Sequence, residues 1–201
     1  METIQSAITQ EHIKNGMSYE AYRLLIDQLL EENKTTGDNH SESMLDYAKL
    51  NMQRMNKWDK IFKPSDELVN AVKLIDKPIH WLVLTEGWCG DAAQNLPIIA
   101  KMASLNSNIT LSLLLRDENL EVMDAYLTNG GRSIPKLIML DENLNELGQW
   151  GPRPQPVQDI MTRMKAEGDF SYEEFNLLGH TWYAKDRTKT LQKELITLLA
   201  G

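Results

Sequence analysis

The hydrophobic pattern of the chain changes its period at Pro78, and this change constrains the fold more than any other feature. Before Pro78, apolar residues recur at helical spacing. After it, residues 79–84 and 111–115 are short apolar runs typical of buried strands, and the segment 90–104 between them predicts a helix. The sequence therefore predicts a βαβ unit, in which a helix connects two parallel strands.

The first 77 residues have the apolar spacing of helices, with few β-branched runs to interrupt it. Ser18 is a suitable N-cap for the first of these helices. The polar segment 34–40 that follows this helix predicts a loop. Ser43 begins a pattern that resembles a capping box for a second helix, and Ser65 is a suitable cap for a third.

Short elements of both kinds are predicted after the βαβ unit. They are a helix at 119–128, a strand at 135–140, a short strand that ends at Trp150, a helix at 154–167 and a helical tail capped by Ser171. Strands and helices that alternate in this way indicate an α/β protein.

Composition excludes several classes of partner. The chain has 201 residues with 21 Lys+Arg against 29 Asp+Glu, a net charge of −8 at pH 7. Because binding to a phosphate backbone needs a basic face, we expect no nucleic-acid partner. No apolar run approaches the length of a bilayer span, so we expect no membrane segment. The N-terminus lacks a basic segment followed by an apolar core, and we therefore expect a cytoplasmic protein.

Cys89 is the single cysteine of the chain, so an intramolecular disulfide and a thiolate-rich zinc site are excluded. The four histidines are scattered along the sequence, so we expect no metal ligation and no cofactor. Cys89 follows an apolar strand, a tight turn and Trp88, at the point where a helix begins. The N–H groups and the dipole of that helix favour thiolate and lower the pKa of the thiol, which suits a nucleophile. The alternative is that Cys89 is a buried residue that packs like a small hydrophobic side chain and is not a nucleophile.

The sequence Trp88-Cys89-Gly90 resembles the thioredoxin superfamily, because it matches the opening of the W-C-G-P-C signature of that family. Pro97 falls where the family places the proline that kinks its active-site helix. Segment 131–137 looks like the family's loop in which a cis-proline packs beside the active-site cysteine. The resemblance implies an α/β thioredoxin-like fold, with a central mixed β-sheet flanked by helices.

The same resemblance implies how a substrate is held. Pro135 is the candidate cis-proline, and the backbone of Ile134 before it would offer an N–H and a C=O beside Cys89. An extended thiol-containing peptide can pair with such groups like an added strand. Arg132 and Arg153 come from the loops that flank this groove, and we expect them to meet a substrate carboxylate. The alternative is that both arginines are solvated loop residues.

Three positions depart from the family pattern. Ala92 replaces the second cysteine, so dithiol exchange within one chain is impossible. Asp91 replaces the proline between the cysteines, and its charge opposes formation of a thiolate. Val83 replaces the buried acid of the preceding strand. Glu86 is nearer to Cys89 in sequence, but we expect it to be a solvated turn residue rather than a proton acceptor.

The resemblance covers residues 65–167, and the helices outside it look like those of bacterial proteins described only as thioredoxin-like. We therefore divide the chain into an N-terminal helical extension at 1–64, a thioredoxin-like domain at 65–167 and a C-terminal helical segment at 168–201 that packs on the domain.

Two functions from different classes follow. The first is a monothiol thiol–disulfide oxidoreductase, in which Cys89 forms a mixed disulfide with a protein or a low-molecular-weight thiol, and a second thiol from outside the chain resolves it. The alternative is a redox-inactive binding or scaffold protein that keeps the groove. Both leave the oligomeric state open. Cys89 is the candidate catalytic residue, and the candidate substrate-binding residues are Trp88, Gly90, Asp91, Arg132, Ile134, Pro135 and Arg153.

Overall fold

A mixed sheet of four strands lies at the centre of the part of the chain that the structure describes. The structure is a computed structural model, and it describes residues 7–168 and 170–200. The strands are β1 (Ile79–Thr85), β2 (Ile109–Leu115), β3 (Lys136–Asp141) and β4 (Glu146–Trp150). Their order is β2-β1-β3-β4, with β1 parallel to β2 and antiparallel to β3, and β3 antiparallel to β4. The predicted mixed sheet is confirmed.

Helices make up most of the remaining chain. Those of the described residues are α1 (Gln10–Asn15), α2 (Tyr19–Glu31), α3 (Glu42–Ile61), α4 (Asp66–Lys73), α5 (Gly90–Ala103), α6 (Leu120–Ala125), α7 (Gln155–Glu167), α8 (Tyr172–Asp186) and α9 (Lys189–Ala200). Helix α5 connects the parallel strands β1 and β2, so the predicted βαβ unit is confirmed. Within residues 7–168 and 170–200, no helix is both long enough and apolar enough to cross a membrane.

Side-chain caps explain where several helices begin. Ser18 and Ser65 each accept a hydrogen bond from a backbone N–H in the first turn of α2 and α4, as predicted. The capping box predicted at Ser43 is wrong. Helix α3 begins at Glu42 after Ser41, so Ser43 lies inside the first turn and its hydroxyl contacts that of Ser41 at 3.2 Å.

The two faces of the sheet carry separate apolar cores. Side chains of a strand alternate between faces, and in β1 the side chains of Trp81 and Val83 join one core whereas those of Leu82 and Leu84 join the other. Cys89, just beyond the carboxyl end of β1, belongs to the core that contains Leu82. Of the helices in the two flanking segments, α2, α3 and α9 pack on the opposite face, α1 packs on the core that contains Cys89, and α8 forms a third apolar cluster with α7.

All three segments of the chain contribute to that first core. Tyr22 and Ile26 of α2 and Met55 of α3 are fully buried in it, together with Leu96 of α5 and Leu191 of α9. The helical extension and the C-terminal segment are therefore packed against the sheet domain. The predicted segment boundaries, between residues 64 and 65 and between 167 and 168, separate residues that share this core. The division of the chain into three segments stays a prediction.

The predicted loop at 34–40 is confirmed, and part of it is buried. Thr35 and Thr36 are buried, and the hydroxyl of Thr36 accepts a hydrogen bond of 2.8 Å from the backbone N–H of Gly87. A side chain of the extension thereby holds the turn that leads into Trp88.

Candidate functional site

Cys89 is the N-cap residue of α5, and its thiol has a backbone partner on each side. Its sulfur accepts a hydrogen bond from the Ala92 N–H at 3.5 Å and donates one to the Ile134 carbonyl oxygen at 3.3 Å. The peptide bond between Ile134 and Pro135 is cis, which confirms the loop that the resemblance implies. The Ile134 carbonyl is thus bonded to the thiol, and a substrate strand would have to displace that contact.

The pKa of Cys89 is high rather than low. Only 8% of the residue is exposed. Burial, followed by the negative charge of Asp91, raises the pKa of the thiol to about 12, and the N–H groups of the helix offset this only in part. The expectation of a thiolate stabilised by the helix N-terminus is therefore wrong for this conformation, because the desolvation of a charged sulfur outweighs the helix dipole.

Asp91 is the centre of a buried polar cluster. One carboxylate oxygen accepts from the Arg153 guanidinium at 2.8 Å and the other from the Tyr183 hydroxyl at 2.8 Å. Asn95, one turn further along α5, donates to the same hydroxyl at 2.9 Å. The side chains of Asp91 and Arg153 are only 13% and 12% exposed. Asp91 thus ties the first turn of α5 to α8 and to the loop before α7.

Arg153, a predicted substrate-binding residue, is not a free cation, because its guanidinium is paired with the Asp91 carboxylate. The guanidinium carbon of Arg153 also lies 5.3 Å from the ring centre of Phe175. Arg132 is more exposed, but it forms two hydrogen bonds with the Asp124 carboxylate at 2.6 and 2.8 Å. Both arginines are therefore neutralised by a carboxylate of the chain, and their role in binding a substrate carboxylate stays a prediction.

A cavity of about 480 Å³ opens above the thiol. Most of the predicted site residues line it: Trp88, Cys89, Gly90, Asp91, Arg132, Ile134 and Arg153. Pro135 lies behind Ile134 and is not among the lining residues. Much of the rest of the wall comes from α3, through Met44, Tyr47 and Arg54, and from α8, through Tyr172, Phe175 and His180. Both helices lie outside the segment that carries the resemblance.

Trp88 is held in this wall by a cation. The Arg116 guanidinium lies 4.9 Å from the centre of the Trp88 ring and is itself paired with Asp117 at 2.7 Å. Arg116 also donates to the Arg132 carbonyl oxygen at 3.2 Å. The aromatic face beside Cys89 is thus fixed by the loop after β2, in a geometry that favours cation–π attraction.

Glu86 is buried, so the prediction of a solvated turn residue is wrong. Its carboxylate accepts a hydrogen bond of 2.9 Å from the Asp117 N–H, and burial raises its pKa. It joins the loop before α5 to the loop after β2. Val83 is fully buried in the apolar core, on the face of the sheet away from Cys89.

The residues that sequence reasoning missed are Arg54 and His180. Arg54 precedes Cys89 by a helix and a strand, and His180 follows Cys89 by most of the sheet domain. Neither residue lies in a recognisable sequence motif. Burial and the charge of Arg54 lower the pKa of His180 to about 4, so the imidazole is neutral at pH 7. Among the described residues, no cluster of three or more His, Cys, Asp or Glu side chains is arranged to hold a metal ion.

A four-stranded mixed sheet, a cysteine at the start of the helix after β1 and a cis-proline loop that contacts its sulfur define a thioredoxin-fold protein. A family model described as thioredoxin matches residues 37–165. The chain therefore belongs to this thioredoxin family. The match begins ahead of α3, inside the segment that we assigned to the extension.

Two solved structures share the fold over nearly their whole length. An HIV epitope scaffold matches with a TM-score of 0.60 and 18% sequence identity, over 97% of this chain and 99% of the scaffold. A protein of unknown function from Pseudomonas aeruginosa matches with a TM-score of 0.58 and 19% identity, over 98% and 99% of the two chains. No curated protein matches the chain significantly. Because these matches cover nearly the whole chain, the flanking helices are part of the shared fold.

Proposed function

We propose that this protein is a binding member of the thioredoxin family that holds a ligand in the cavity above Cys89, with the thiol protonated in the resting state. The observation that carries the proposal is the buried Asp91 cluster. Asp91 stands where the family pattern has proline, and its charge adds to burial in raising the pKa of Cys89 to about 12.

Two further features support binding over redox cycling. Ala92 stands at the resolving position and is fully buried, so no internal thiol can release a mixed disulfide. The cavity above the thiol is walled by α3 and α8 as well as by the loops of the sheet domain. Clefts whose walls are mainly apolar and carry some polar groups are typical of ligand sites.

The test is the rate at which iodoacetamide alkylates Cys89 as a function of pH. Because only the thiolate reacts, the folded protein should react far more slowly at pH 7 than the same protein unfolded in guanidinium chloride, where Cys89 is a free thiol with a pKa near 8.5. The unfolded chain is a matched control, since it has one cysteine. A folded protein that alkylates with an inflection below about 8.5 would overturn the proposal.

An alkylation inflection below about 8.5 in the folded protein would instead favour monothiol exchange, the other candidate function. It is supported by the position of Cys89, which lines the cavity and whose Sγ lies 3.3 Å from the carbonyl oxygen of Ile134. In this reaction the Cys89 thiolate attacks a substrate disulfide, the S–S bond breaks and one substrate thiol leaves. A second external thiol must then attack the mixed disulfide, because Ala92 cannot. Incubation with hydroxyethyl disulfide, followed by mass measurement, detects the adduct.

A further inference from the structure

Arg54 is a cation of the cavity that has no carboxylate partner among the described residues. It projects from α3, is partly buried and donates a hydrogen bond of 2.9 Å to the side-chain oxygen of Asn51. No carboxylate within residues 7–168 and 170–200 lies within 4 Å of its nitrogens. Burial lowers the pKa of Arg54, and the charge of Asp91, which is too far away to form an ion pair, offsets this only in part.

The other arginines of the cavity differ from Arg54 in this respect. Each forms an ion pair: Arg116 with Asp117, Arg132 with Asp124, and Arg153 with Asp91. Asp91 is also the acidic residue that lines the cavity, and both of its oxygens are already bonded. The lining therefore has an excess of positive charge, although the whole chain has a net charge of −8.

The guanidinium of Arg54 faces a small space beside Cys89. A Cβ atom placed on Gly90 would lie 3.5 Å from Nη1 of Arg54 and 3.6 Å from Cε1 of His180. Arg54 and His180 thus approach the same point from α3 and α8. His180 has a buried ring nitrogen, Nδ1, that has no hydrogen-bond partner among the described residues.

We propose that Arg54 and His180 form an oxyanion subsite next to Cys89, and that the ligand of the cavity is a small organic acid whose carboxylate or phosphate binds there. This inference rests on the proposed binding function. An oxyanion would supply the charge that Arg54 lacks and can accept two parallel N–H bonds from a guanidinium. The remainder of the ligand would lie against Met44, Trp88 and Phe175, whose side chains give the cavity its apolar surface.

The test measures binding of three probes of similar size by isothermal titration calorimetry at constant ionic strength. Phenylphosphate and phenylacetate carry the two kinds of oxyanion, and benzyl alcohol is their neutral counterpart. We expect at least one anion to bind the wild-type protein at least tenfold more tightly than benzyl alcohol does. Whether phosphate or carboxylate binds more tightly then assigns the head group of the ligand.

Three variants identify the residues responsible. Arg54→Gln should weaken binding of the preferred anion at least tenfold, whereas Arg163→Gln, which removes the same charge from an exposed position of α7 outside the cavity, should change it less than twofold. Gly90→Ala puts a methyl group into the subsite at ordinary contact distances, so the fold should tolerate it while anion binding falls. Gly90 begins a helix, where alanine is favourable.

Equal binding by the wild type and Arg54→Gln would overturn the subsite, as would benzyl alcohol binding as tightly as both anions. These probes contain no thiol or disulfide and cannot react with Cys89. Loss of the subsite is therefore distinguishable from failure of the proposed function, which the alkylation of Cys89 tests separately.

Discussion

Asp91 is a buried carboxylate that neutralises a guanidinium and stands two residues from a thiol. Asp91→Asn keeps the size of the side chain but leaves Arg153 buried without a counter-ion. Loss of one partner from a buried ion pair costs roughly 3–5 kcal/mol, so we expect the free energy of unfolding to fall by about 3 kcal/mol in urea titrations. Alkylation of Cys89 should become faster, because a negative charge no longer raises the pKa of the thiol.

Arg132→Gln is the matched control for that experiment. This substitution breaks the ion pair between Arg132 and Asp124, in which the two side chains are 47% and 50% exposed. Exposed pairs contribute little because water screens them. An Asp91→Asn protein that is as stable as Arg132→Gln, with an unchanged alkylation rate, would contradict the role assigned to Asp91.

His180 makes the stability of the protein depend on pH. Burial, together with the charge of Arg54, lowers the pKa of the folded imidazole from 6.5 to about 4. Between these two values the unfolded state binds a proton that the folded state does not, so stability is present above pH 6.5 and is lost as the pH falls toward 4. Because the ring is partly exposed, we expect a loss on the order of 1–2 kcal/mol after solvent screening.

The measurement for His180 is a series of urea unfolding curves between pH 7 and pH 4 for the wild type and for His180→Asn. Carboxylates titrate in both proteins, so the difference between the two curves isolates the imidazole. That difference should narrow as the pH falls, since the variant has no ring to protonate. A difference that stays constant across this range would show that His180 titrates alike in the folded and unfolded states.

At the scale of single elements, the first turn of α5 has the geometry for a disulfide but lacks one of the cysteines. Cys89 and Ala92 lie three residues apart across this turn and belong to the same core cluster. We expect Ala92→Cys to form an intramolecular disulfide on mild oxidation, seen as a mass loss of about two hydrogens and as protection from alkylation. The variant should then reduce insulin with a dithiol reductant, whereas the wild type should not.

Ala93→Cys is the control for this variant. Ala93 is equally buried but packs in the core on the other face of the sheet, so its side chain points away from Cys89. Oxidation of both double-thiol proteins to the same extent, or insulin reduction by the wild type, would show that the first turn does not determine the chemistry.

Elements with strong local patterns could be predicted from the sequence, and weakly marked ends could not. The apolar run before Thr85 and the helix at Gly90 are fixed by neighbours in the chain, and both were placed within a residue or two. The spacing of Ser43 and Asp46 predicts a cap at Ser43, but the helix begins at Glu42, directly after Ser41. The helix after β2 was expected to reach residue 128, but it ends at Ala125.

At the scale of the whole molecule, the cavity is assembled from parts of the chain that no local pattern connects. Cys89 and the cis-proline loop were predicted because a family motif joins them. Arg54 and His180 meet at Gly90 only because α3 and α8 both approach the first turn of α5. Whether Arg153 is free or paired could not be predicted from the sequence either, because this depends on the Asp91 carboxylate, which lies 62 residues away. Tertiary packing, rather than sequence spacing, therefore decides which cations face a ligand.

The same packing predicts that the helical extension is part of the folding unit and not an appendage. Ile26 of α2 is fully buried against the turn at Gly87, while Leu24 of the same helix is 57% exposed. Truncation of a buried isoleucine costs roughly 2–5 kcal/mol, so Ile26→Ala should lower the free energy of unfolding by that amount, whereas Leu24→Ala should change it by less than about 0.5 kcal/mol. Both variants lose apolar side-chain atoms from one helix, which makes Leu24→Ala the matched control. Unfolding followed by tryptophan fluorescence should show one transition for each protein. Equal stability of the two variants, or an early transition in which α2 alone melts, would mean that the extension folds independently of the sheet.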